Sequence, residues 1–316
     1  MNLSNASNKT ESFLTSLDYI LVSVKIIVVL ISTLLNTLLM YMYIFRFKQK
    51  KISDYLFLSI IITDLIIGLL AMGTQTLIDF TENWPLDKIT CVFFVFIQYA
   101  VPDVTGYALL SLSFHRFMLI VFPFKCKESL NNTLNIILLS SPWIFTLTVW
   151  MICITILILH NQFNFTKCDL SPSTDFIIYK ELFINILTIF LILILNFYLI
   201  HLLNMKKKKF VNNRLKYRIE NHKNANKSKT TINKDKKAIK CVIALILSVL
   251  FTQINYIITW PINSSSILSA DWFDIYYQIS MWLSYCTSLT DPIIQLIFNE
   301  KIKSKIKEIS CLKSKQ

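Results

Sequence analysis

Apolar residues along this chain come in seven long blocks separated by polar stretches. The blocks cover roughly residues 20–45, 56–77, 93–122, 134–158, 176–203, 239–262 and 275–298. A helix needs about 20 apolar residues to cross the hydrocarbon core of a bilayer, and every block meets that length. Inside lipid the backbone has no water to bond to, so each block predicts a helix. The fold expected is an all-α membrane protein, a seven-transmembrane helix bundle. It divides into a polar amino-terminal tail over 1–19, a helical domain over 20–298 with its longest connection at about 205–238, and a carboxy-terminal segment over 299–316. In that last segment Ile302, Ile306 and Ile309 recur at helical spacing among lysines. They predict a short amphipathic eighth helix lying on the membrane surface. Residues 1–18 lack the basic-then-apolar layout of a cleavable leader, so the first block is expected to act as its own insertion signal.

Composition agrees with the pattern. The chain is 54% hydrophobic and 16% charged, against about 25% charged residues in soluble domains, which leaves no room for a sizeable soluble enzyme domain. The net charge of +13 raises nucleic-acid binding, but its placement argues against it. Of 32 lysines and arginines, 27 fall in residues 46–51, 116–127, 206–240 and 301–315, all on one side of a seven-span chain. Lys9, Lys88, Lys167 and Lys180 fall on the other side with most of the loop acids. Basic loops stay in the cytoplasm, so the amino terminus is expected outside and the carboxy terminus inside. The sequons at Asn2, Asn5 and Asn8, with Asn164 and Asn263, land on the outer side, where glycosylation occurs. They point to delivery to the plasma membrane. The segment 206–240 holds 14 basic residues and has two readings: a solvated loop against anionic lipid, or a docking surface for a cytoplasmic partner.

Only Cys91 and Cys168 of the seven cysteines are assigned to the oxidising side, and two such cysteines most simply pair. Cys153 and Cys286 lie inside spans as small apolar residues. Cys311 ends the amphipathic stretch and is either a lipidation site or an ordinary terminal cysteine.

Ionisable groups at membrane depth are costly and mark function. Asp64, Asp103 and Asp291 are the acids placed there, with Asn36, Thr105 and Ser288 at comparable depth. Asp64, Asp291, Asn36, Thr105 and Ser288 together would offer oxygen ligands to a sodium ion, or equally form a hydrated polar core without one. No other cofactor is expected. The four histidines, at 115, 160, 201 and 222, lack metal-ligand spacing.

Several segments, in order, now form a larger pattern. Asn36 precedes a second-span pattern from Ser53 to Asp64-Leu65. Trp84-Pro85-Leu86 leads to Cys91, and Arg116 follows at a set distance. Trp143 and Trp150 mark the fourth span, Lys234-Asp235-Lys236-Lys237-Ala238 the entry to the sixth. Trp282-Leu283-Ser284-Tyr285 runs on to Asp291-Pro292 in the seventh. This order and spacing resembles the rhodopsin family of G protein-coupled receptors, most nearly its amine-type members, the muscarinic and histamine receptors. The resemblance implies an extracellular ligand, held by Gln98, Tyr99, Asp103, Tyr256 and Tyr285. It also implies a heterotrimeric G protein as partner, coupled through a switch at His115, Arg116, Phe117, Tyr198, Asp291, Pro292 and Gln295.

The departures are as specific. Amine receptors carry an aspartate seven residues after the third-span cysteine, where this chain has Gln98. An amide offers no full charge, so an ordinary monoamine is not expected. Asp103 is either a displaced counterion or a partner for a neighbouring helix. The sixth-span tryptophan and proline of the family are replaced by Gln253 and Asn255, and the fifth span has Phe190 where proline is usual, so straighter helices are expected there. The acid-Arg-Tyr triplet reads His115-Arg116-Phe117, and Gln295 stands where the family has tyrosine. His115 cannot restrain the arginine as an acid does, so basal activity is expected to be raised if a G protein is engaged. These losses also fit a non-signalling decoy or decaying paralogue. A transporter or channel would show internal repeats and broken helices, and this chain shows no repeat and only 3 glycines. Enzymatic activity is not expected.

Overall fold

The computed structural model describes residues 4–47, 51–81, 83–122, 132–161, 163–166, 168–170, 175–216, 222–264 and 271–313. Its helices are α1 (Ser4–Tyr41), α2 (Ile52–Ile66), α3 (Met72–Thr81), α4 (Lys88–Val121), α5 (Asn132–Leu159), α6 (Asp175–Lys216), α7 (His222–Ser264), α8 (Asp271–Tyr285), α9 (Thr287–Phe298) and α10 (Glu300–Lys313). A two-residue pairing of β1 (Phe163–Asn164) with β2 (Asp169–Leu170) lies between α5 and α6. Six of the expected spans are continuous helical stretches long and apolar enough to cross a membrane. The seventh is split at Cys286 into α8 and α9, whose amides and carbonyls re-pair through a tight turn: Cys286 N–H donates to Leu283 O at 3.1 Å. The all-α, seven-helix fold read from the pattern is therefore present, and α10 supplies the eighth helix.

Two helices are locally widened and underwound. The second span joins α2 to α3 through a π-helical turn over Ile67–Ala71, and α1 ends in another over Met42–Arg46. Such a turn adds one residue to the ladder and rotates everything beyond it. In the second span it changes which side chains of α3 face the bundle.

The segment expected as a loop over 205–238 is largely helical. The fifth span continues to Lys216 and the sixth begins at His222. Between residues 206 and 240 there is no glycine or proline, and lysine, arginine, leucine and alanine all propagate helix well. Lys206 Nζ also donates to Ile120 O at 2.6 Å, placing a cation on the carbonyl end of α4. Neither α6 nor α7 is interrupted among the described residues, and α7 runs on through Pro261.

Packing puts α4 at the centre, against the second, fourth, fifth and sixth spans, while the first span packs on the second and seventh. The largest buried cluster lies toward the Arg116 end. It includes Leu39, Tyr43, Leu56, Ile60, Leu109, Leu112 and Leu245, together with Ile302 of α10. Lys301 of α10 pairs with the buried Asp54 at the start of α2 and Glu300 pairs with Lys237 of α7 at 3.2 Å, so the eighth helix is fastened by ionic as well as apolar contacts. The outward faces carry rows of exposed Leu, Ile, Phe and Val, as on Leu30, Leu34, Ile144, Phe197 and Phe251. In water such faces would demand a partner; in a bilayer the lipid supplies it.

Candidate functional site

At the end of the bundle bearing Cys91, the first turn of α4 is bonded to the β1–β2 hairpin. Cys91 and Cys168 form a disulfide with Cα atoms 5.5 Å apart, and both are buried. The pairing expected from compartment is the one present. Trp84 N–H donates to Thr166 O at 2.9 Å, and Lys88 Nζ sits 5.3 Å from the ring centre of Phe165. The loop between α3 and α4 and the hairpin thus form one lid, tied by covalent, backbone and cation–π contacts.

A narrow cleft with an open mouth lies within the bundle at this end. Its walls are Gln98, Tyr99, Pro102 and Asp103 of α4, Asn185 of α6, Gln253, Tyr256 and Ile257 of α7, and Ser284 and Tyr285 of α8. All five residues expected to line a pocket are there. Asn185, Gln253 and Ser284 were not singled out as lining residues, because an amide or hydroxyl in an apolar run has no periodic signature.

The cleft's polar groups are already partly engaged. Trp150 Nε1 donates to Asp103 Oδ2 at 2.8 Å, and Tyr99 stacks on Trp150 with ring centres 5.2 Å apart. Of the two readings of Asp103, the bond to a neighbouring helix is observed. Gln253 Nε2 donates to Ser284 O at 3.1 Å, tying the sixth span to the seventh. Gln98 approaches the sulfur of Met281 at 3.9 Å. Tyr256 stacks on Tyr277 at 6.2 Å. Among the described lining residues there is no lysine, arginine or histidine.

Deeper in the bundle lies a polar centre. Asn36 Nδ2 donates to Ser288 O at 2.7 Å, and the Ser32 and Ser288 hydroxyls share a bond of 2.7 Å. Asp64 and Asp291 are both fully buried and close enough for their charges to interact. Neither carboxylate has a hydrogen bond of ordinary geometry among the described residues, and neither does Asn36 Oδ1. The other two members of the expected cluster have found partners: Thr105 donates to Thr63 Oγ1 at 2.9 Å, and Ser288 also lies against Met72. Donating leaves a hydroxyl oxygen its lone pairs, so Thr105 and Ser288 still present oxygens beside Asn36, Asp64 and Asp291.

At the opposite end Arg116 follows His115 near the close of α4. His115 is 2% exposed and neither ring nitrogen has a partner among the described residues. Phe117 packs on Tyr198 of the fifth span with ring centres 5.9 Å apart. Gln295 is fully buried and reaches the first span: the Tyr43 hydroxyl lies 3.5 Å from Gln295 Oε1 and accepts from Asn299 Nδ2 at 2.9 Å. A tyrosine from α1 therefore stands beside the glutamine that replaces one in α9. Pro292 lies buried in the first half of α9. Asn2 and the residues around Cys126 lie outside the described residues, and the side chains of Asn5, Asn8 and Cys311 do too.

A seven-helix membrane bundle with a disulfide-tied lid, an internal cleft beneath it and an arginine at the far end of the central helix is the architecture of a membrane receptor. Residues 35–294 match the model of the 7 transmembrane receptor (rhodopsin family), and the chain belongs to that family. Among characterised proteins, it is 24% identical to the muscarinic acetylcholine receptor M2 of Gallus gallus over 101 residues, which are 32% of this chain and 22% of that receptor. It is 24% identical to the neuropeptide FF receptor 1 of Rattus norvegicus over 165 residues, 46% of this chain and 38% of the relative. With the muscarinic acetylcholine receptor M5 of Homo sapiens it shares 25% over 128 residues, 40% and 24% of the two. The chain thus spans well under half the length of each relative. Relatives named for a small amine transmitter and for a peptide match equally well, so similarity does not select a ligand.

Proposed function

We propose that this chain is a G protein-coupled receptor of the plasma membrane. Its amino terminus is outside, its ligand binds in the cleft beneath the lid, and its partner is a heterotrimeric G protein at the Arg116 end. The observation that carries this reading is the cleft itself, walled by the third, fifth, sixth and seventh spans and separated from Arg116 by a stretch of α4 about 20 Å long. A ligand that draws those walls together favours one arrangement of the bundle, and only such a difference in binding between two arrangements can transmit a signal. Charge sets the orientation, since the basic segments all lie at the Arg116 end. Tags on the two ends, probed from outside intact cells, should report opposite compartments; both in one compartment refutes the topology.

The lining limits the ligand. Among the described lining residues no cationic side chain offers an anion a partner, and the Asp103 carboxylate already accepts from Trp150, so an ammonium would have to share it. Gln98, Asn185, Gln253 and the tyrosines suit a neutral or weakly cationic molecule carrying several hydrogen-bonding groups. A library screen by stabilisation of the purified receptor tests this, with Tyr256→Ala and Asp103→Asn as controls. Hits unaffected by both changes place binding elsewhere.

A sodium ion between Asp64 and Asp291 is part of the proposal. Two buried carboxylates this close cannot both stay charged without a counter-charge, so the pair holds a proton or a cation. Sodium chloride should raise the thermal midpoint above that in choline chloride, and Asp64→Asn should abolish the difference. Equal midpoints in wild type would leave the proton as the answer.

At the Arg116 end, the unpartnered His115 offers no acid to hold the arginine. Ligand-free nucleotide exchange is expected to be higher in wild type than in His115→Asp. The same unpartnered histidine favours a second reading, a receptor that binds without signalling; absence of exchange on a panel of G proteins would select it.

A further inference from the structure

Lys25 stands within the first span, six residues beyond the first residue of its apolar stretch at Tyr19, which is about 9 Å of helix. An ammonium at that depth is costly unless paired. Here it is paired: Lys25 Nζ lies 2.6 Å from Asp79 Oδ2 of α3, with both side chains about one-fifth exposed. The ammonium also sits 4.7 Å from the ring centre of Trp282 on α8, a cation–π contact across helices. Trp282 Nε1 donates to the same Asp79 oxygen at 3.3 Å, and Gln75 Nε2 donates to the other at 3.1 Å. One carboxylate therefore gathers the first, second and seventh spans, using both oxygens.

The seventh span meets this node just before its break. Trp282 packs edge-on against Tyr285, with ring centres 6.1 Å apart at 85°. Tyr285 and Ser284 are cleft walls, and α8 ends at Tyr285. Helix α8 is thus a short rigid rod, jointed at Cys286 and held near its joint by Asp79. We propose that Asp79 is a positioning residue for the cleft: with Lys25 it grips Trp282 and thereby sets how far Tyr285 and Ser284 stand from α4. When the grip is released, α8 swings about Cys286 and the cleft widens. The inference concerns the width of the cleft and does not depend on what binds there.

The joint itself supplies the readout. Cys286 is half-buried, while Cys153 and Cys241 are fully buried inside the bundle. The full-length protein in lipid nanodiscs is labelled with N-ethylmaleimide, and each cysteine is followed by mass spectrometry. Asp79→Asn should raise the rate at Cys286 about tenfold, which corresponds to about 1.4 kcal/mol of lost restraint, with Cys153 and Cys241 unchanged. Asp79→Glu should restore a rate near wild type. An unchanged Cys286 rate in Asp79→Asn, or a parallel rise at all three cysteines, overturns the proposal. If Asp79→Asn does not fold, Trp282→Phe, which removes only the indole donor to Asp79 while keeping an aromatic ring, is judged by the same two outcomes.

Discussion

Replacing Gly68 with alanine tests how tightly the first, second and seventh spans close around the polar centre. Gly68 lies in the π-helical turn of the second span, and a Cβ built there falls 2.7 Å from Ser32 Oγ and 3.3 Å from Ser288 Oγ. Ser32 cannot simply rotate away. Its hydroxyl is buried, shares a 2.7 Å bond with Ser288 Oγ and lies 3.0 Å from Ser288 O. Overpacking of this kind costs about 1–3 kcal/mol, and displacing the hydroxyl forfeits a buried hydrogen bond of about 1 kcal/mol. Against this, alanine gains about 0.5–1 kcal/mol over glycine through the backbone entropy it removes. The net expectation is destabilisation by about 1–3 kcal/mol, from the same three terms. Gly73, one turn on in α3, has nothing within 4 Å of its built Cβ, so Gly73→Ala should stabilise by about 0.5–1 kcal/mol. Unfolding of the purified protein by dodecyl sulfate in mixed micelles, followed by circular dichroism, measures both. Adding Ser32→Ala to Gly68→Ala should recover part of the loss, because it removes the 2.7 Å clash and leaves Ser288 Oγ, at 3.3 Å and released from Ser32, as the next contact. The reasoning fails if Gly68→Ala is as stable as Gly73→Ala, or if the double variant recovers nothing.

Two further expectations follow from single contacts. Trp150→Phe removes the donor to Asp103 from a fully buried site; it should cost about 2–4 kcal/mol for the lost charged hydrogen bond and the space left, and an unchanged unfolding midpoint would remove Asp103–Trp150 from the account of the cleft. Asp87, just before the third span, is held below its ordinary carboxyl value of 3.8, chiefly by the Thr90 hydroxyl donating at 2.5 Å. Because the folded value is the lower one, this contact adds stability above the unfolded value and loses it as pH falls through the folded value. Wild type and Thr90→Val should therefore differ in thermal midpoint near neutrality and converge below about pH 4; a difference that persists in acid assigns the effect to packing. Asp87 is fully exposed, so the difference is small.

Much of this protein was legible in one dimension because a bilayer imposes one-dimensional rules. Hydrocarbon thickness sets the length of an apolar run, and the unmet bonding needs of a backbone in lipid force that run to be helical, so seven blocks meant seven spans before any contact was known. Compartment chemistry singled out Cys91 and Cys168, and the spacing around Asp64, Arg116 and Pro292 led to the family. The resemblance to that family in turn named five of the cleft's lining residues. Local sequence could not tell which polar groups are already satisfied. Thr105 looked as available as Asp64, yet it bonds Thr63; Asp103 could be read as a counterion or as a partner for another helix, and only packing shows it holding Trp150. Nor could sequence foresee that Lys25 and Asp79, 54 residues apart, meet over Trp282, or that Tyr43 of the first span would reach Gln295 of the seventh. A hydrogen bond depends on two atoms lying about 3 Å apart, and only the packing of helices brings residues distant in the chain to that distance.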